Sequence, residues 1–253
     1  MAIYLTDQAI CFRVLDFSET SQIVTLFTQN HGLVGLIAKG SKRQNKKTVA
    51  GPLDLLAAGE VVFIPPKNAS ELGTLSEWEL RDHRTALRTN LPALNAGYLV
   101  AEATMAMLHP GDSHDVLFTE CANTLSRLTD PDRRRLIVAY LKTLLTQTGY
   151  QPQLDQCVEG HKQLEDQPTW RFSPRAGGIV CPQCSIQGKT IEVTTPILRA
   201  LSRLAPPTQL IAAARAADPT ALQQAFKLLI AMIESITDRA LKTQDLPMDD
   251  LAA

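Results

Sequence analysis

QIVTLFTQNHGLVGLIAK, residues 22–39, consists of two apolar runs of strand character around a polar turn. The runs are rich in β-branched and aromatic residues, which suit a pleated surface. Asn30-His31-Gly32 supplies residues that tolerate the positive φ of a tight turn. The pattern predicts a hairpin. Upstream, Ile10, Phe12 and Val14 alternate with Cys11, Arg13 and Leu15, the period-two signature of another strand. Downstream, PLDLLAAGEVVFIPP (52–66) and ELGTLSEWEL (71–80) read as two more, separated by Pro65-Pro66-Lys67-Asn68. Five short strands over residues 1–82 predict a small barrel.

From Arg84 onward the period becomes helical. Leu91, Leu94, Tyr98, Ala101, Met105 and Leu108 recur at spacings of three and four and predict one apolar face. A second helix is expected from Asp112 or Ser113 through Val116, Leu117, Cys121 and Leu125. A third spans 131–148, with Asp130 as cap, Pro131 at the first position and Gly149 as a left-handed stop. Helical periodicity is lost over 151–194, where cysteines, a double glycine and Trp170 gather. It returns at Thr195-Pro196 and at Asp218-Pro219, with a shorter helix over TQLIAAARAA (208–217) between. The predicted class is α+β: a barrel domain over 1–82 and a helical domain over 83–253, with 151–194 as an inserted cysteine-containing module.

The 253 residues, 45% hydrophobic and 20% charged, belong to a folded protein rather than a disordered one. The N-terminus lacks a basic head followed by an apolar run, and LPALNAGYLVAEATMAML is broken by Asn95 and Glu102. The expectation is a cytoplasmic protein without export signal or membrane span. Five unevenly spread cysteines fit a reducing compartment, where Cys-x-x-Cys signals metal or redox chemistry. The net charge of −1 conceals KGSKRQNKK (39–47), with Lys39, Lys42, Arg43, Lys46 and Lys47 and no acid among them.

Cys181-Pro182-Gln183-Cys184 can turn two thiolates toward one cation, and Cys157 and His161 can complete a tetrahedron. The residues leave three readings open: a structural zinc knuckle on these four, a reduced pair held by packing, or a redox pair. The last wants a βαβ setting, whereas FSPRAGGIV and SIQGKT on either side look like a hairpin. A catalytic zinc would need a base to assist bound water; Glu159 is the candidate, and sites built mainly from thiolates are seldom catalytic. Phosphate-loop and nucleophile-elbow patterns are lacking, so no enzyme is expected.

The basic stretch can contact phosphates, or it can be a solvated hairpin. Small barrels bind single strands through one face and adjacent loops, for which Phe12, Phe17, Phe27 and Trp78 are the aromatic supply. Arg133, Arg134 and Arg135 cannot share one helix face, so at least one is expected at solvent or a partner. His31, His83, His109 and His114 have no spaced partner and read as structural or exposed.

SETSQIVTLFT (18–28), NHGLVGLIAKGSKR (30–43), LDQCVEGH (154–161) and FSPRAGGIVCPQC (172–184), in this order, resemble the RecO family of bacterial recombination mediators. The resemblance implies an N-terminal OB-fold barrel followed by a helical domain with a zinc-finger-like module. It implies DNA repair without catalysis: binding single- and double-stranded DNA, annealing strands, and helping load RecA onto DNA covered by single-strand-binding protein. RecR is the implied partner, and the implied location is the cytoplasm at the nucleoid. Many relatives carry two Cys-x-x-Cys pairs, and here Gly160 stands at one of the four positions, leaving His161 to substitute. Arg13, Lys39, Lys42, Arg43, Lys46 and Lys47 are the expected DNA contacts, and Arg127 with Arg133–Arg135 the surface for the acidic tail of single-strand-binding protein. An adaptor whose basic stretch is incidental is the competing reading.

Overall fold

The computed structural model describes residues 3–42, 51–68, 71–210 and 218–246. Strands β1 (Leu5–Asp16), β2 (Gln22–Thr28), β3 (Gly32–Ala38), β4 (Ala58–Ile64) and β5 (Gly73–Asp82) close into a barrel in the order β1-β2-β3-β5-β4. The 22–39 stretch is the antiparallel β2–β3 hairpin, with Gly32 at φ +64. Closure comes from β4 pairing along β1 and from a short parallel contact, Leu36 with Gly73 and Ile37 with Thr74. A closed five-stranded barrel of this kind is an OB-fold architecture.

Strict alternation fails in β1. The register shifts between Cys11 and Arg13, leaving Phe12 without a β2 partner in a bulge. Ile10 and Phe12 therefore face the helices, whereas Val14 packs into the barrel interior and Arg13 stays outside. The fourth strand also begins later than expected, at Ala58 rather than Pro52. Before it, Leu56 takes a left-handed φ of 63 while its N–H bonds to the Cys11 carbonyl at 2.7 Å. Its buried side chain lies against Gly97, where a Cβ would come within 2.6 Å of Leu56 Cδ1.

The helical region holds α1 (Thr85–Arg88), α2 (Leu91–Met107), α3 (Asp115–Ser126), α4 (Arg133–Gln147), α5 (Thr195–Ser202) and α6 (Pro219–Thr237). Asn90 and Asp218 cap α2 and α6 through their side chains, and Pro stands in the first turn of both. Helix α2 is apolar nearly all round, so the expected stripe is only part of its core face: Ala101 and Leu108 are in the core, and Leu94, Tyr98 and Met105 pack against it. Leu91 is 63% exposed, and Ala93, Ala96, Leu99, Val100 and Ala103 are buried instead. Helix α3 starts two residues after Ser113, behind His114, and α4 starts at Arg133 behind Asp132. Asp130 pairs with Arg127 instead of capping α4, whereas Gly149 does take a left-handed φ of 86 just beyond its end. Of the short helix expected over 208–217, the described part is a 3-10 turn, Pro207–Gln209; residues 211–217 lie outside the described residues.

Between α4 and α5, β6 (Thr169–Ser173), β7 (Gly178–Val180) and β8 (Ile191–Thr194) form a small sheet in the order β7-β6-β8. Its Trp170, Phe172 and Ile179 join one continuous core with α2, α3, α4 and α6 and with Ile10, Phe12, Phe27 and Leu33 on the outer wall of the barrel. The barrel keeps a second interior of its own, around Leu26, Leu36, Val61 and Trp78. Arg84 bridges the two regions, its Nε donating to the Leu56 carbonyl at 3.0 Å.

Candidate metal centre and nucleic-acid interface

The β6–β7 hairpin presents its chemistry on the turn that follows β7. Gly177 takes φ +73 in the hairpin turn, and Gly178 leaves room for Gln153, whose Cβ and carbonyl would both lie 2.6 Å from an added Cβ. This close approach brings residues 153–158 alongside β7, with Val158 N–H bonding the Ile179 carbonyl at 2.9 Å. Cys157 is thereby set opposite Cys181 and Cys184. The three buried sulfurs lie within 4.8 Å of one another. Cys184 Sγ is 3.3 Å from Cys181 Sγ and 3.6 Å from Cys157 Sγ. A disulfide needs about 2.05 Å, whereas a tetrahedral zinc with bonds of about 2.3 Å spaces its sulfurs roughly 3.8 Å apart.

His161 brings Nδ1 to 2.9 Å from Cys184 Sγ, though its exposed ring stands outside the compact group of three sulfurs. Gly160, at φ +71 with its N–H on the Cys157 carbonyl at 2.7 Å, makes the turn that returns the chain toward the site. Arg171 on β6 clamps the facing turn, Nη2 donating to the Cys181 and Cys184 carbonyls at 2.8 Å each. Burial opposes ionisation of Cys181, but hydrogen bonds from Cys184, from the backbone of Gln183 and Cys184, and from Cys157 outweigh it and hold that thiol below its ordinary value. Cys184 is pushed the other way, first by its hydrogen bond to Cys181 and then by burial. The two thiols thus shift in opposite directions because each bonds the other. Three thiols are soft donors of the kind a tetrahedral zinc takes, and the His161 imidazole stands beside one of them.

Of the expected DNA contacts, Arg13, Lys39 and Lys42 lie among the described residues. Arg13 is exposed just past the bulge and shares the outer face of the barrel with Thr25 and Gly35. Lys39 is exposed at the end of β3. Lys42 forms an ion pair with Asp16, Nζ to Oδ1 2.5 Å. Arg43, Lys46 and Lys47 lie outside the described residues. Of the aromatic candidates, Phe12, Phe27 and Trp78 are buried and Phe17 is 60% exposed. Beside this face a cleft of about 890 Å³ separates barrel from helices, with Arg13 and Thr25 on one wall and Tyr98, Ala101 and Met105 of α2 on the other. Part of the apolar stripe read in α2 thus edges a cleft as well as the core.

The arginines of α4 differ in exposure, Arg133 being buried and Arg134 and Arg135 half-buried. Arg133 is buried with Nε on the Leu128 carbonyl, Arg134 Nη1 meets Gln223 Oε1, and Arg135 is half-buried with Nη1 enclosed. Arg127 donates to the Pro207 carbonyl at 3.0 Å and pairs with Asp130. These side chains tie α3, α4 and α6 together.

The Recombination protein O N-terminal family matches residues 1–84, and the Recombination protein O C-terminal family matches 88–245. The chain belongs to the RecO family. A DNA repair protein RecO of Rhodopirellula baltica is 32% identical over 78% of this chain and 73% of its own length. Those of Desulfitobacterium hafniense and Bacillus subtilis are 29% and 32% identical, over 76% and 70% of this chain and 68% and 67% of their own lengths. Two features of this RecO-family chain escape a reading of its sequence. Arg171, the clamp on the cysteine turn, lies ten and thirteen residues from its acceptors with no motif around it. His31, read as partnerless, holds Asp7 at 2.7 Å across 24 residues, and Asp7 also accepts from Asn30. Among the described residues, no helix is long and apolar enough to cross a membrane.

Proposed function

We propose that this protein is a DNA-binding recombination mediator in DNA repair, acting without chemical catalysis. The observation that carries this reading is a closed OB-type barrel, in a RecO-family chain, whose outer face bears exposed Arg13 and Lys39 and runs into the basic stretch 39–47. Arg13, Lys39, Lys42, Arg43, Lys46 and Lys47 grip phosphates without reading bases, which concentrates strands and screens their repulsion. Annealing of complementary strands needs no more than that. Assistance to RecA on DNA coated with single-strand-binding protein, and partnership with RecR, belong to the same reading, which membership of the family supports.

Zinc held by Cys157, Cys181, Cys184 and His161 supplies a cross-link that fixes the small sheet on the helical core; its role is structural. The compact sulfur group supports this.

Anisotropy of a labelled single-stranded oligonucleotide against salt tests the DNA reading. Replacing Lys42, Arg43, Lys46 and Lys47 with Ala lowers the log–log slope by roughly 3, at ~0.7 per phosphate neutralised. An unchanged slope and affinity would leave an adaptor that binds proteins, with an incidental basic stretch.

A further inference from the structure

We infer that Phe17 is the stacking platform for an unpaired nucleobase, set where the strand's phosphates meet Lys39 and Arg13. The inference rests on the DNA-binding reading above and names the group that lets that surface prefer single strands. Phe17 is the one aromatic of the four sequence candidates left open to solvent, 60% exposed where Phe12, Phe27 and Trp78 are 5% or less. A hydrophobic ring on a loop tip gains nothing from folding unless something covers it.

The loop is not slack. Phe17 and Ser18 N–H groups both bond the Ser21 carbonyl, at 3.1 and 3.3 Å, closing the β1–β2 tip. The tip is laced to the turn after β3: Lys42 N–H donates to the Thr20 carbonyl at 3.1 Å and Gly40 N–H to Ser21 Oγ at 3.2 Å. The tip that carries the ring is thus tied to the start of the basic stretch, one residue from Asp16, whose carboxylate Lys42 already engages. Glu19 is the other carboxylate on the tip.

The ground beside it is apolar as well. Leu15 is 45% exposed and pairs across strands with Ile23, which pairs with Ile37, so three aliphatic side chains share the outer face with Arg13. A ring and an aliphatic strip next to cations match a nucleic acid strand, which carries apolar base faces and phosphates in one repeat. Bases inside a duplex present no free face, so this platform serves single strands alone. The apolar strip by itself would equally suit a protein partner; the adjoining exposed cations favour DNA.

The test compares Phe17→Ala and Phe17→Trp with wild type, using labelled oligothymidylate and a duplex of the same length across a salt series. Phe17→Ala is expected to weaken single-strand binding about tenfold, leaving the salt slope and the duplex affinity unchanged, because stacking displaces no counterions. Phe17→Trp keeps the affinity, and its emission, above that of the buried Trp78 and Trp170, is quenched by the oligonucleotide. Wild-type single-strand affinity in Phe17→Ala overturns the inference and leaves the DNA reading standing. Equal losses for single strand and duplex also overturn it, since the tip would then act through the cations. So does an unchanged DNA affinity with loss of RecR binding, which would make the patch a protein interface. Failure of wild type to bind DNA at all sinks the DNA reading itself.

Discussion

Cys184 meets both other cysteines and His161, so its thiol is the hub of the proposed zinc site. Metal analysis of reduced protein is expected to find about one zinc per chain, as tetrahedral Cys₃His sites require. Cys184→Ala removes it. His161→Ala leaves three sulfurs and an open position, and it gives up metal at lower chelator concentrations than wild type. Equal retention by that variant would strike His161 from the ligand set. The cysteines announce themselves in sequence because Cys-x-x-Cys is a local pattern. Arg171 does not, because a guanidinium that reaches two carbonyls ten and thirteen residues away leaves no periodic trace. The same holds for His31 and Asp7, joined only when the β2–β3 turn folds back on β1.

Among elements, the β6–β7 hairpin shows how much a glycine can hide. The double glycine is plain in FSPRAGGIVCPQC, but the need for Gly178 arises from Gln153, which arrives from outside the hairpin. Gly178→Ala is expected to cost about 1–3 kcal/mol through overpacking and to loosen metal retention, because it pushes away the segment that carries Cys157. Thermal unfolding with and without chelator checks this; a variant that melts and holds metal like wild type would contradict it. The strands were legible because their apolar residues alternate, and the start of α6 because Asp218-Pro219 is a local cap. Helix α2 was legible as a helix, but the full width of its core face was not, since an element apolar nearly all round carries little phase. Helix α4 itself was legible, but which of its three consecutive arginines is buried was not, because Leu128 and Gln223 decide it from other elements.

Across the whole molecule, Glu102 of α2 clasps the C-terminal turn. It accepts from Lys242 N–H at 3.1 Å and from Thr243 N–H and Oγ1 at 2.9 and 2.7 Å. Burial raises its pKa, but those hydrogen bonds and Arg239 outweigh burial and leave it below the ordinary value. A folded-state value below the unfolded one means the clasp stabilises fully above the unfolded carboxyl range and fades as pH falls through the lowered folded value. Glu102→Gln is expected to lose about 1–2 kcal/mol near pH 7, with the gap closing in acid. Urea unfolding at both pH values checks it, and a gap that persists in acid would assign the loss to packing. The α+β class was readable from one change of period near Arg84. The shared core was not, because it depends on which outer barrel residues the helices cover. The bulge at Phe12 governs this. On one side of it β1 gives Ile10 to the helices, and on the other it gives Val14 to the barrel and Arg13 to solvent. One supernumerary residue lets a single strand serve as seam for one interior and as lining for the other. Drawing that residue into a regular ladder would invert the parity of everything that follows, turning a guanidinium inward and a valine out, whereas deleting it would leave both where they are.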